Sequence, residues 1–246
     1  MSVPNIIAMA VLILVGGFLG YFGFWFFNHM PAKWLVDYGE EPGEELTGPL
    51  AHQEPGEDLT EPYVQRVKSY PWKFVMVAFM VIAAVKLALG DVFIACGGLM
   101  ALWALMLMAV SDKKYKIVPD QLVVVLMFSA IGFVPSYFSW KVPLFGGLIA
   151  FGAMVLMAAF GYIAYRRWVI GGGDIKVYTA IGVIFGWKGF VTIFILATLV
   201  SAGHFTYLLM RKKIEKDETM PLVPYIFGAT AIYLLILYPY INEIFL

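Results

Sequence analysis

Eight apolar runs dominate this chain, at residues 5–28, 74–89, 92–110, 121–140, 142–165, 177–187, 189–210 and 220–241, and most of them are close to 20 residues long. A helix that crosses the hydrocarbon core of a bilayer needs about 20 such residues. The composition agrees: 61% of residues are apolar, 14% are charged and the mean hydropathy is +0.82, where a soluble domain carries about 25% charged residues. Lipid must therefore solvate most of the surface. The expected fold class is all-α, a polytopic membrane helical bundle of about eight transmembrane helices. As a single helix, residues 177–210 would extend about 51 Å, against a hydrocarbon core of about 30 Å. Phe185-Gly-Trp-Lys-Gly189 offers a break, so a hairpin is expected there.

The basic residues orient these runs. With the N-terminus outside, the loops at 29–73, 111–120, 166–176 and 211–219 face the cytoplasm and hold 14 of the 17 lysines and arginines. A bias of that size in short loops sets membrane topology. Met1–Asn5 has no positive charge, so no cleavable signal peptide is expected. The net charge of zero argues against nucleic acid as a partner. The lone cysteine, Cys96, lies in an apolar run. It provides neither a disulfide framework nor a cysteine zinc cluster, and it reads as a small packing hydrophobe.

Residues 29–73 form the one sizeable polar segment. Between Asp37 and Glu61 there are nine acidic residues and no lysine or arginine, and Glu41-Pro-Gly-Glu-Glu-Leu-Thr47 is echoed by Glu54-Pro-Gly-Glu-Asp-Leu-Thr60. Such a composition favours an extended, solvated loop. It reads either as a plain linker or as an acidic lure for a basic peptide. The sequence thus divides into a first transmembrane helix (1–28), an acidic loop (29–73) and a helical bundle (74–246).

Carboxylates close to hydrocarbon are costly to ionise and are functional candidates for that reason. Asp91, Asp112, Asp120, Asp174 and Glu243 sit at span boundaries. Asp91 follows Gly90 in a tight turn. Asp112 ends the third run and Asp174 begins the sixth, and the topology puts both on the cytoplasmic side. Two carboxylates a few ångströms apart do not both ionise easily. One retains a proton and polarises a peptide carbonyl, while the other draws a proton from water. Gly171, Gly172 and Gly173, just before Asp174, permit unusual backbone angles and close approach of a substrate. Lys176 could snorkel to the interface. The bland alternative is that each aspartate is a helix cap. Of the histidines, His29 and His52 lie at or in the polar loop. His204, inside the seventh run, reads as a hydrogen-bonded packing residue, and no histidine cluster suggests a metal.

These residues resemble the type IV prepilin leader peptidases, intramembrane aspartic proteases of the GxGD kind. Gly171-Gly-Gly-Asp-Ile-Lys176, followed by Ala180-Ile-Gly182, is similar to that family's second aspartate motif. Asp112 with Ile117-Val-Pro-Asp-Gln-Leu122 is similar to the first, 62 residues earlier. Gly16-Gly-Phe-Leu-Gly20, Asn28-His-Met-Pro31 and Met220–Gly228 resemble the family's first and last helices. The resemblance implies an endopeptidase at the cytoplasmic face of the cell membrane. Its dyad would be Asp112 and Asp174, with Gly171, Gly172, Gly173 and Lys176 near the substrate. The partners would be prepilins or pseudopilins, whose basic leader it would remove before a hydrophobic segment. Proteolysis of this kind needs no cofactor. Many members also methylate the new N-terminus with S-adenosylmethionine and carry a four-cysteine zinc segment in the first cytoplasmic loop. That segment is absent here, so methylation lacks a family feature that proteolysis does not. A small transporter using Asp112 and Asp174 as a proton or cation path is the rival reading, but its usual paired halves are not evident. An inactive scaffold is a third reading.

Overall fold

The computed structural model describes residues 6–36, 66–137, 139–166, 170–212 and 220–238. The repeats of the acidic loop, His52 and Glu243 lie outside them. The described residues are helical with no strand, as the apolar runs predict. They fall into two compact units, Met1–Gly90 and Asp91–Leu246.

In the first unit α1 (Ile6–His29) packs on α2 (Trp72–Leu87). The sequence groups α2 with the downstream bundle, but its packing partner is α1. Without a hydrophobic drive between helices in lipid, close approach at small residues is what holds such a pair together. Gly16 and Gly20, four apart on α1, provide it. A Cβ added at Gly16 would lie 2.7 Å from the Met80 carbonyl oxygen, and one at Gly20 would lie 2.5 Å from the Val77 Cα.

In the second unit α3 (Val92–Tyr115) is buried on nearly every face from Ala95 to Asp112. Asp91 caps it by accepting the Phe93 and Ile94 amides at 2.8 and 3.2 Å, the turn role expected of it. Cys96 departs from expectation. It is exposed on α3, whereas Ala95 and Gly97 beside it are buried. Hydrophobicity alone does not tell a lipid-facing position from a core one. α4 (Asp120–Phe128) runs on into a 3-10 segment, Ser129–Ser136, and α5 (Lys141–Tyr165) follows.

The stretch Gly172–Met210 is helical on both sides of Gly186, which adopts φ 68° and ψ −178°. Only glycine tolerates that conformation readily. The Tyr178 ring lies 5.5 Å from the Phe194 ring and 5.9 Å from the Phe190 ring. A straight helix would separate residues 178 and 194 by about 24 Å. The chain therefore folds back at Gly186, giving α6 (172–185) and α7 (187–210), the expected hairpin. Carbonyls freed at the break are satisfied by the Tyr137 hydroxyl, which donates to Ile184 at 2.7 Å and Val183 at 3.2 Å. α6 lies against α5 at glycines, since a Cβ added at Gly146 would run into the Gly182 carbonyl oxygen. α8 (Val223–Ile232) continues into a π turn, Tyr233–Leu237.

Candidate functional site

The site lies at the end of the second unit where the α3–α4 connection and the starts of α6 and α8 meet. α3 ends because Lys116 turns into the left-handed region at φ 57°, its amide bonded to the Asp112 carbonyl at 2.9 Å. The buried Ser111 hydroxyl donates to the Ile117 carbonyl at 2.8 Å, pinning the turn. Pro119 then starts α4. α6 begins at Gly172, with Gly171 as its cap residue and Asp174 in its first turn.

Asp112 is only 7% exposed. Its Oδ2 accepts the Val223 amide at 2.9 Å, and Leu222 also donates to it. The first amides of a helix have no partner within the helix and carry partial positive charge, so Asp112 caps α8 from 111 residues away. The cap reading of Asp112 thus holds in an unforeseen form: the helix capped is α8. Asp174 accepts the Gly171 amide, a reach back across one turn like a capping box. The two carboxylates lie within electrostatic reach of each other. They come from different helices and share one end of the bundle.

The glycines divide by role. None of the three has a positive φ among the described residues, so the expected unusual backbone angles are not used. Space is what matters at Gly173, where an added Cβ would lie 2.8 Å from the Val118 side chain. That contact seats the start of α6 on the α3–α4 connection. Gly171 and Gly172 are exposed, and an added Cβ at Gly172 would meet nothing within 4 Å. Lys176 does not reach for the interface alone: its ammonium pairs with Asp120 at 2.6 Å, with both side chains more than half exposed. Asp120 is thereby engaged away from the pair formed by Asp112 and Asp174. His204 hydrogen-bonds the Tyr225 hydroxyl, a polar contact as expected, although it is exposed and not packed inside. Among the described residues no group of three or more His, Cys, Asp or Glu side chains is arranged to hold a metal ion.

The partners that sequence reasoning missed are the α8 amides on Asp112. Pro221 and Pro224 around Val223 mark a helix start, which is a legible signal. What that start faces is not legible.

Apolar helices α1, α3 and α5 and the α6–α7 hairpin, each long enough to cross a bilayer by length and composition, define a polytopic helical membrane protein with a carboxylate pair at one bundle end. Residues 99–206, which include both carboxylates, match the type IV leader peptidase family. The prepilin leader peptidase/N-methyltransferase of Bacillus subtilis (strain 168) is 24% identical over 122 residues, 49% of this chain and 47% of that protein. The protein of the same name from Aeromonas hydrophila is 25% identical over 168 residues, 64% of this chain and 54% of its own. That from Stutzerimonas stutzeri is 26% identical over 132 residues, 52% and 45% of the two chains. The chain is thus similar to the type IV prepilin peptidases, and it spans about half the length of the curated relatives it matches. No solved structure matches it.

Proposed function

We propose that this chain is a membrane-embedded aspartic endopeptidase that removes the leader from type IV prepilins or pseudopilins at the cytoplasmic face of the cell membrane. The observation that carries this reading is the placement of Asp112 and Asp174. They stand on separate helices, within electrostatic reach, inside the segment that matches the leader peptidase family. The ionised member of the pair accepts a proton from water, whose oxygen attacks the scissile carbonyl carbon. The protonated member donates to the carbonyl oxygen, and the departing amine receives the proton that completes cleavage. The pair titrates as a unit, so the proton belongs to both carboxylates. The open backbone at Gly171 and Gly172 seats the extended peptide. Water and two carboxylates suffice, and no cofactor takes part in the cut.

Orientation rests on charge. The end of α3 and the start of α6, which carry the pair, adjoin loops that the basic-residue bias assigns to the cytoplasm, which suits a leader made and held there. The relatives carry N-methyltransferase in their names, so the mass of the product N-terminus is part of the test. S-adenosylmethionine is given no residue in this reading.

The test is cleavage of several purified prepilins by the full chain in detergent, read by mass spectrometry of the new N-terminus. Cleavage before the hydrophobic segment, lost in Asp112→Asn and Asp174→Asn, is the expected result. A methyl group on the product would add the second activity. No cleavage of any prepilin would move the transporter reading to the front.

A further inference from the structure

Tyr178 is a fully buried polar side chain near the site that the mechanism above leaves unused. It is 0% exposed, and its hydroxyl has no hydrogen-bond partner among the described residues. A buried hydroxyl without a partner is costly, and native structures contain few. Phenylalanine would fill the same space between Phe190 and Phe194 without that cost, so packing alone does not account for a tyrosine.

Position supplies the missing reason. Tyr178 lies four residues after Asp174 on α6, and side chains four apart share a helix face. Helical side chains also lean towards the N-terminus, over the preceding turn. That lean carries the Tyr178 ring towards Asp174, whose charge it feels. The α6–α7 hairpin fixes the ring there, because the two phenylalanines that hold it are on the returning arm. Asp174 meanwhile spends its carboxylate on the Gly171 amide. The Tyr178 hydroxyl is not bonded to Asp174 in this arrangement, so the two meet only if the Asp174 side chain changes rotamer.

We propose that Tyr178 is a positioning residue whose hydroxyl donates to the Asp174 carboxylate once Asp174 turns from Gly171 towards Asp112. The hydroxyl then holds the rotated carboxylate in its working orientation and replaces the amide it has left. This inference rests on the peptidase reading for its consequence in catalysis, but the hydrogen bond itself does not. Among the described residues, the charged group that acts on Asp174 is Asp112 at the end of α3, Lys116 acts on Asp112, and Lys176 on the same helix is paired with Asp120. Substitution at Tyr178 leaves all of them in place.

A donor to the ionised carboxylate favours ionisation, so removing it makes the carboxylate hold its proton to higher pH. In Tyr178→Phe the acid limb of the cleavage profile should move up by about one pH unit, which corresponds to a tenfold change in the ionisation equilibrium. KM should stay within about twofold, as the ring is retained. Incorporating 3-fluorotyrosine at 178, a more acidic phenol, should move the limb the opposite way. This second variant keeps the test sound if the phenylalanine chain folds poorly. A parallel infrared titration follows the carboxyl band that disappears in Asp174→Asn. Its midpoint should rise in Tyr178→Phe whether or not a prepilin is cleaved. Unchanged acid limb and unchanged band midpoint in both variants would overturn the inference. A shifted band with no cleavage by the wild type would support the hydrogen bond and count against the peptidase reading.

Discussion

Both units of this chain bury polar side chains at helix ends, and they use them differently. At the end of α1, Asn28 donates to the Phe24 carbonyl at 3.0 Å and accepts the Val67 amide at 2.8 Å. Arg66 donates to the Phe27 carbonyl at 3.1 Å and to that of Met30. Amide and guanidinium are here matched to backbone, as cations and donors should be at a helix C-terminus. At the end of α3, Asp112 also satisfies backbone, by capping α8, but an ionised carboxylate offers about four acceptor sites. It also lies within electrostatic reach of a second carboxylate, and that proximity does not stabilise the fold. The first pair has the chemistry of a staple. The second pair brings like charges together, an arrangement that clusters at sites where protons are moved.

The comparison breaks most easily on rates. Asp112→Asn or Asp174→Asn should lower prepilin cleavage by at least about 10³-fold, as removal of one member of a catalytic unit does, with little change in thermal stability. In Asp112→Asn the new side-chain amide oxygen can still accept from Val223. Activity that survives either change would make the pair a second staple. Next in size is Gly146→Ala, which forces a methyl into the α5–α6 contact. A loss of about 1–3 kcal/mol is expected from overpacking, read from denaturation in detergent. Asn28→Ala should cost about 1–3 kcal/mol through unsatisfied groups while the folded fraction cleaves at the wild-type rate. This is the reverse of the aspartate pattern and sharpens the contrast. Smallest is the Asp120–Lys176 pair. Its exposure limits it to under about 1 kcal/mol, so Asp120→Asn should cost little stability and the effect should fade at high salt.

Much of this was legible in the sequence, for physical reasons. The hairpin follows from a run too long for a bilayer with a glycine in its middle, and Gly186 bears the positive φ that closes it. Asp112 and Asp174 were legible because charge is rare near hydrocarbon and the loop lysines put both on one side. What was not legible depends on direction. Cys96 is exposed, a matter of helix rotation that an all-apolar α3 does not encode. Lys176 meets Asp120 because Gly173 lets α6 settle against Val118, and that contact joins residues 56 apart in the chain. The bond from Val223 to Asp112 spans 111. The glycines before Asp174 proved ordinary in backbone angle and useful for their lack of bulk.

The claim that Asp112 and Asp174 act as one catalytic unit is tested most directly by comparing the two single asparagine variants with the double variant, using one prepilin at saturating concentration. If they form a unit, removing either abolishes its chemistry, and Asp112→Asn/Asp174→Asn should cleave no more slowly than each single variant. If the two losses multiply in the double variant, the carboxylates act independently, and the dyad at the centre of this account is wrong.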